Sequence, residues 1–518
     1  MSAGINARIG TEVGTEVERK FGVDEAYTVP DLGDLVTVRE EGTDVLVTTY
    51  LDTADLRLWR ENIVLRHRLG GPDAGWHLKF PAAIVGEAGS SGGLGPDTRV
   101  RSEVRLPARR GDHMDVPPAE LLGLVRIVLA GAPVTPRGQI RTERTRRTLL
   151  TPATAQLADR SGAVEVGELV ELAELADDRV LVEPADLDEG TPPPIGSSQG
   201  APHPRGAAHP KGAAHPKGAG AATSPTGEAF RELELEERAW AATPAGRALL
   251  DAVAARLAAA GARAPDAESK ATRVLGARGG HDYLGQAGDG DDTELPPGVP
   301  PPPTLPQLAA LSPDAPATAA VRAHLVTYTR ALRREDLRVR LDADDSVHQL
   351  RVATRRLRSG LRAFKPLLLR TWGETVRADL RWLAGSFAPT RDAEVQLARL
   401  VARAGQLTDP AAAQEVKAFL RRRLGRELTA ARATSLEVLD TDRYAHMHRE
   451  LLLAAAAPAT TKAARKPCAE TLPPLARRAL GRLDKAARGL DPDATDARWH
   501  EVRITAKRAR YTAEACVP

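Results

Sequence analysis

The residues best suited to chemistry lie in short segments where charged and apolar side chains alternate. In TEVERKF, Thr15 to Phe21, an extended chain places Glu16, Glu18 and Lys20 on one face and Val17 and Phe21 on the other. FRELELEE, starting at Phe230, repeats the arrangement with Glu232, Glu234 and Glu236 opposite Leu233 and Leu235. Segments between them carry the opposite sign: Arg66 and Arg68 share a face in LRHR, and Lys79 lies in WHLKF. One such strand is most simply the solvated face of a sheet. Acidic strands at both ends of a region with basic strands between them point instead to polar faces that converge. Inside a closed sheet, the carboxylates are hard oxygen ligands for Mg²⁺ or Mn²⁺. Arg and Lys neutralise and orient phosphate oxygens. The combination describes a site for a highly charged phosphate chain with a divalent metal.

A second constellation repeats. HQLRVATRRLR at 348–358 and HEVRITAKRAR at 500–510 share H-x-x-R-x-x-x-[KR]-R-x-R, 152 residues apart. His348 corresponds to His500, Arg351 to Arg503, Arg355 to Lys507, Arg356 to Arg508, and Arg358 to Arg510. On a helix, residues 348, 351, 355, 358 and 362 form one stripe, so His348 and several arginines, Arg362 included, make a cationic face. Like charges at these spacings repel, so a twice-repeated stripe implies an anionic partner. The helices offer few aromatics for base stacking and no recognised nucleic-acid motif, which disfavours DNA and RNA. A phosphate polymer without bases fits better.

The elements that must position these groups change character along the chain. TEVERKF, DVLVTTYLDT, IVLRHRL, GWHLKF, RVRSEVRL, RTERTRRTLL and FRELELEERA read as strands of period two, and an Ala-rich helix is predicted at about 244–260. Beyond 310 the pattern is helical throughout, with Pro and Gly confined to joints. Two Pro/Gly-rich stretches interrupt the chain. Residues 189–228 carry an HPxGAA repeat with His203, His209 and His215, and read as a disordered insertion; 277–305 reads as a polyproline linker. A Gly/Ser island at 86–96 reads as a long hairpin loop. The fold class is therefore α+β and multidomain: an antiparallel β domain over 12–276, the linker, and an all-α domain over 311–518. Charge follows the division, with a net of −13 over residues 1–320 and +16 over 321–518. Two cysteines exclude a disulfide scaffold, and neither a secretory leader nor a membrane-length apolar run is visible. The expectation is a cytoplasmic protein without membrane contact.

E-x-E-x-K at Glu16–Lys20, followed in order by YLDTADLRLWRENIVLRHRLGG, GWHLKFP, RSEVRLP, RTERTRRTLL, ELADDRV, RELELEE and ESKATRVLG, resembles the CYTH domain of the triphosphate tunnel metalloenzymes. That resemblance implies an eight-stranded antiparallel tunnel and metal-dependent hydrolysis of inorganic or organic triphosphates, some members being adenylate cyclases. Lys20, Arg66, Arg68, Lys79, Arg144 and Lys270 would clamp the triphosphate. Glu16, Glu18, Asp178, Glu232 and Glu234 would hold Mg²⁺ or Mn²⁺, with Arg101, Glu103, Asp177 and Glu236 as further lining. The helical repeat, with Arg391 and Asp392 in LRWLAGSFAPTRDAEV, resembles the CHAD domain, which implies paired helical bundles around a basic pore that binds inorganic polyphosphate.

The leading expectation is a triphosphatase tethered to a polyphosphate-binding domain and associated with polyphosphate granules. A non-catalytic polyphosphate-binding or granule-targeting protein is the alternative, followed by a nucleotide cyclase, for which no base pocket is evident. A further helical stretch is expected after the second motif, where the chain ends at Pro518. The apolar side of that last helix, Val502, Ala506, Ala509 and Ala513, is expected to lack cover, to fray, or to recruit a second subunit.

Overall fold

The alternating segments form eight antiparallel strands in the computed structural model, which describes residues 13–81, 84, 98–107, 115–152, 167–183, 228–238, 241, 243–265, 269–276, 311–491 and 493–516. They are β1 (Val13–Val23), β2 (Thr37–Asp52), β3 (Val64–Leu69), β4 (Gly75–Pro81), β5 (Thr98–Pro107), β6 (Thr135–Pro152), β7 (Leu169–Glu183) and β8 (Ala229–Glu237). The sheet closes on itself in the order β1-β5-β4-β3-β2-β6-β7-β8. Closure is what turns alternation into a site, because every second residue must face the interior. The register sets Lys20 opposite Glu234, Lys79 opposite Glu103, Arg144 opposite Asp178, and Asp178 opposite Glu232.

The outward residues of the same strands are apolar and covered. Phe21, Leu175, Leu233 and Leu235 pack with Leu250, Val253 and Leu257 of a helix at Pro244–Ala259, whose Thr243 side chain accepts from the Gly246 N–H. Short helices α1 (Ala119–Leu124) and α2 (Arg126–Leu129) precede it, so it is α3. Helix α4 (Lys270–Leu275) is different, because it packs on inward-facing residues. Its Ala271, Val274 and Leu275 join Tyr50, Val64, Ile140 and Val180 in an apolar plug at one end of the barrel. Gly138 makes that approach feasible: a Cβ there would lie 2.4 Å from Val274 Cγ1.

Eight long helices follow: α5 (Ala317–Arg340), α6 (Ser346–Ala363), α7 (Arg370–Ser386), α8 (Ala388–Ala404), α9 (Pro410–Leu439), α10 (Asp442–Ala456), α11 (Cys468–Arg488) and α12 (Asp496–Cys516). Helix α6 buries Val347, Leu350, Ala353, Leu357 and Leu361, against α5 and α7 side chains such as Leu325, Leu332, Leu380 and Leu383. Each buried leucine contributes roughly 2 kcal/mol. Helix α12 carries the second copy of the motif and buries far less. Its Ala509 and Tyr511 are covered, whereas Val502, Ala506 and Ala513 are half-buried. The expectation of no cover is thus corrected for Ala509.

The two halves are not merely tethered. One continuous apolar cluster runs from Leu51, Leu58, Ile63, Leu65 and Trp76 of the barrel through Leu121 and Val125 to Val321, Leu325 and Leu332 of α5. Arg333 pairs with Glu61 at 3.0 Å, and Arg338 and Arg340 donate to the carbonyls of Ile84 and Gly123, each at 2.9 Å. The linker 277–305, the island 86–96 and all but the last residue of the insertion 189–228 lie outside the described residues. No helix among the described residues is long and apolar enough to cross a membrane.

Candidate functional site

Inside the barrel, the six cations and five acids singled out from the sequence converge. Arg144 grips Asp178 with two hydrogen bonds of 2.7 and 2.6 Å and reaches Glu234 at 2.5 Å. Lys270, the first residue of α4, projects its ammonium onto Glu232, onto Asp178 at 2.7 Å and onto Glu234 at 2.9 Å. Lys20 bonds Glu234 and lies 3.5 Å from Glu18. Lys79 chelates Glu16 at 2.5 and 2.8 Å and approaches Glu103 at 3.8 Å, while Arg66 faces Glu103 at 3.7 Å. Oxygens of Asp178, Glu232 and Glu234 all lie within 4.8 Å of one another, close enough to share one cation.

The interior also contains groups that the motifs did not single out. Asp73, in the turn between β3 and β4, pairs with Arg68 at 2.5 Å. His77 on β4 contacts Glu103, and Arg105 on β5 bonds the other oxygen of the same carboxylate. Period two would have found His77 and Arg105, which alternate with Lys79 and Glu103; a turn residue such as Asp73 carries no such signal. Arg101 and Glu236 line the free space as expected, and Glu103 sits beneath it as the hub for Lys79, Arg66, His77 and Arg105. Asp177 does not. Adjacent to inward-facing Asp178, it must face outward, where Arg231 holds it with bonds of 2.9 and 2.8 Å.

Packing this many charges into a dry interior costs desolvation, which only opposite charges offset. Burial opposes ionisation of Glu16, Asp178 and Glu234, yet Lys79, Arg144 and Lys20 respectively hold them below the usual carboxylate range. Asp73 is pulled down to about 2 against its burial by Arg68 and Arg66. Arg68 behaves in the opposite sense. Burial first, and then the nearby Arg66 and Arg144, push it down to about 10 despite Asp73 and Glu234, whereas carboxylates outweigh burial at Arg66 and Arg144 and hold both above the usual arginine range. An anionic ligand beside Arg68 would offset the repulsion it feels from those two arginines.

The second constellation forms a cavity of about 1070 Å³ between α6, α7, α11 and α12. Arg355, Arg358 and Arg362 of the first motif and Lys507 and Arg508 of the second line it. So do Lys365, Arg377, Arg381, Arg478, Arg482, Lys485 and Arg498, which lie outside the repeated motif; Glu501 is the one acid on this lining. Burial and then Arg508, Arg377 and Arg482 lower the proton affinity of Arg362, so cations of both copies feel one another. The other motif residues are placed elsewhere. Arg351 donates to the Ala384 carbonyl at 2.6 Å, Arg356 and Arg510 pair with Glu514, and Arg391 pairs with Asp345 and Glu394. His348, His500 and Arg503 are not on the lining either. Of the stripe 348, 351, 355, 358 and 362, Arg355, Arg358 and Arg362 line the cavity, whereas His348 and Arg351 do not.

The sequence profile of the CHAD domain matches residues 323–518, the segment that builds this cavity. The closed eight-stranded barrel with its inward E-x-E-x-K strand supplies the other half. This chain joins a CYTH-like barrel to a helical region that matches the CHAD domain. It belongs to the same family as the uncharacterized protein Rv2226 of Mycobacterium tuberculosis, 32% identical over 515 residues that cover 96% of this chain and 82% of that one. Among solved structures, the CHAD domain from the plant Ricinus communis is 25% identical, covering 40% of this chain and 68% of that chain with a TM-score of 0.32. The Hippeastrum protein HpAC1 is 12% identical, covering 50% of this chain and 94% of that chain with a TM-score of 0.22.

Proposed function

We propose that the CYTH barrel hydrolyses inorganic triphosphate or a related short phosphate chain with Mg²⁺ or Mn²⁺, and that the CHAD cavity binds inorganic polyphosphate. The carrying observation is the juxtaposition of three mutually close carboxylates, Asp178, Glu232 and Glu234, with the crowded Arg66, Arg68 and Arg144 inside one closed barrel. Carboxylate oxygens at this spacing suit a hard divalent cation, and Glu16 and Glu18 on β1 supply further oxygen donors facing the same space. Bound there, the metal would supply charge neutralisation and an activated water. The chain's own residues do the rest. Arg66, Arg68 and Arg144 draw the phosphoryl oxygens and stabilise the charge that builds on them, while Lys20, Lys79 and Lys270 exchange carboxylate partners for phosphate. No protein nucleophile is required.

For the cavity, twelve cations against one acid favour a long flexible polyanion, and association with polyphosphate granules would follow from it. The test is phosphate release from tripolyphosphate with Mg²⁺, then Mn²⁺, alongside ATP, by the full chain and by E232Q/E234Q. Metal-dependent release lost in the variant supports the reading. Binding without release under either metal would identify a non-catalytic anion tunnel, and preferential conversion of ATP to a cyclic nucleotide would identify a cyclase.

A further inference from the structure

His77 occupies a peculiar position in the tunnel wall. It lies on β4 with Arg66 directly across on β3 and Arg105 directly across on β5. Its Nδ1 is 2.9 Å from Glu103 Oε1, and its Nε2 is 2.9 Å from the backbone carbonyl oxygen of Asp73. Both partners are acceptors. A neutral imidazole has a single N–H and can satisfy only one of them, whereas the imidazolium donates to both. The hydrogen-bonding frame is therefore built for a doubly protonated ring.

The electrostatic surroundings oppose that state. Burial, and then Arg66 and Arg68, push the imidazole down to about 4 despite the supporting Glu103. The remaining charges facing this corner are already committed: Arg105 and Lys79 turn toward Glu103, the Asp73 carboxylate faces Arg68, and Glu16 faces Lys79. What disfavours the second proton, beyond burial, is thus the positive charge of the two arginines proposed to receive phosphate.

We propose that His77 is the proton-accepting positioning residue of the tunnel, taking up a proton from solvent when a phosphate chain covers Arg66 and Arg68. The added proton sits on whichever ring nitrogen lacked one, and both acceptor contacts become hydrogen bonds. Glu103 is then fixed toward Lys79 and Arg66, and the β3–β4 turn is fixed through the Asp73 carbonyl. This inference rests on the phosphate-chain reading of the barrel. The imidazole's proton affinity is higher in the bound state, so binding tightens as pH falls, the opposite of the trend set by the ligand's own loss of charge.

The experiment is calorimetric titration of inorganic tripolyphosphate into the full chain, with EDTA to prevent turnover, in buffers of different ionisation heat at about pH 6 and about pH 8. H77N keeps a donor near Glu103, and H77Q keeps one near the Asp73 carbonyl; neither titrates. The ligand's own protonation is common to all three proteins and cancels in the difference. Wild type is expected to take up on the order of one proton more than either variant at the lower pH. Equal proton counts overturn the inference while leaving the tunnel reading intact. Absence of tripolyphosphate binding by wild type overturns both. Should the variants fail to fold, imidazole ¹⁵N spectra of the wild-type chain decide: a doubly protonated His77 only with tripolyphosphate supports the proposal, and a neutral ring in both states refutes it.

Discussion

The barrel interior and the helical cavity are both rich in cations, yet they handle charge in opposite ways. In the barrel, almost every cation described has a carboxylate within about bonding distance, as Lys270 does with Asp178, Glu232 and Glu234. In the cavity, Arg358 and Arg362 are surrounded by further arginines, and their proton affinity falls after burial through Arg381 and Arg508 respectively. A mated interior discriminates: a ligand must replace specific partners, and the freed carboxylates need a cation of their own. An unmated cavity attracts any dense polyanion, with an attraction that salt screens. The first arrangement suits chemistry on a defined short chain, the second suits retention of a long one.

The largest expected effect separates the two regions by activity. E16Q/E18Q should lower metal-dependent tripolyphosphate hydrolysis by on the order of 10³ or more, because amides supply neither ligand charge nor partners for Lys79 and Lys20. Polyphosphate retention by the same variant should be unchanged. Hydrolysis at the wild-type rate would dissolve the assignment of these acids to the metal.

Salt should separate the regions next. Polyphosphate affinity, read by filter retention, is expected to fall by on the order of 10³ between about 50 and 200 mM monovalent salt, as for other polyanion binding. KM for tripolyphosphate should move far less, since buried pairs are poorly screened. Equal salt slopes would erase the contrast. R358E/R362E sharpens it from the other side: about 100-fold weaker polyphosphate binding is expected, with tripolyphosphate turnover retained within about twofold.

A smaller effect concerns acid stability. Asp73 titrates at about 2 in the fold against 3.8 for the free group, so its ionised form stabilises the barrel. The contribution, about 2 kcal/mol, is fully present above about pH 4 and disappears as pH falls toward 2. D73N should therefore be less stable than wild type by about that amount near neutral pH and nearly equal to it near pH 2, measured by denaturant unfolding. A constant difference across this range would mean that Asp73 acts by packing alone. The smallest expected effect is at α12, where amide exchange should be faster than in α6, consistent with its two buried side chains among the described residues. Addition of polyphosphate should narrow the gap, and equal protection of the two helices without it would contradict the burial argument.

Most of the barrel was legible because a period of two needs no tertiary information: Glu16, Glu18 and Lys20 had to share one face of β1, and Glu232 and Glu234 one face of β8, wherever the strands lay. The same rule, applied strictly, also separates Asp177 from Asp178, which cannot both point inward. The cavity was less legible. A helical stripe shows only which residues share a face, and only the packing of α6 against α7 and α12 decides that Arg355, Arg358 and Arg362 face the cavity while Arg351 turns to the Ala384 carbonyl. Arg377, Arg381, Arg478 and Arg482 lie on helices without a repeat, so only the fold brings them in. The seam between the halves was invisible for a related reason. Leu121 and Val125 on one side and Val321 and Leu325 on the other read as ordinary core residues until the two cores prove to be one.

Helix α4 stops one end of the barrel, where its Val274 and Leu275 join the apolar plug. On the proposed reading, traffic through the bore would be two-way on one lane. A chain of phosphates would not be threaded through that end and clipped at intervals. It would present a terminus, lose a fragment, and withdraw before a new terminus is offered. The reaction would be distributive, each cleavage a separate encounter, and a product slow to leave would hold the lane against the next substrate.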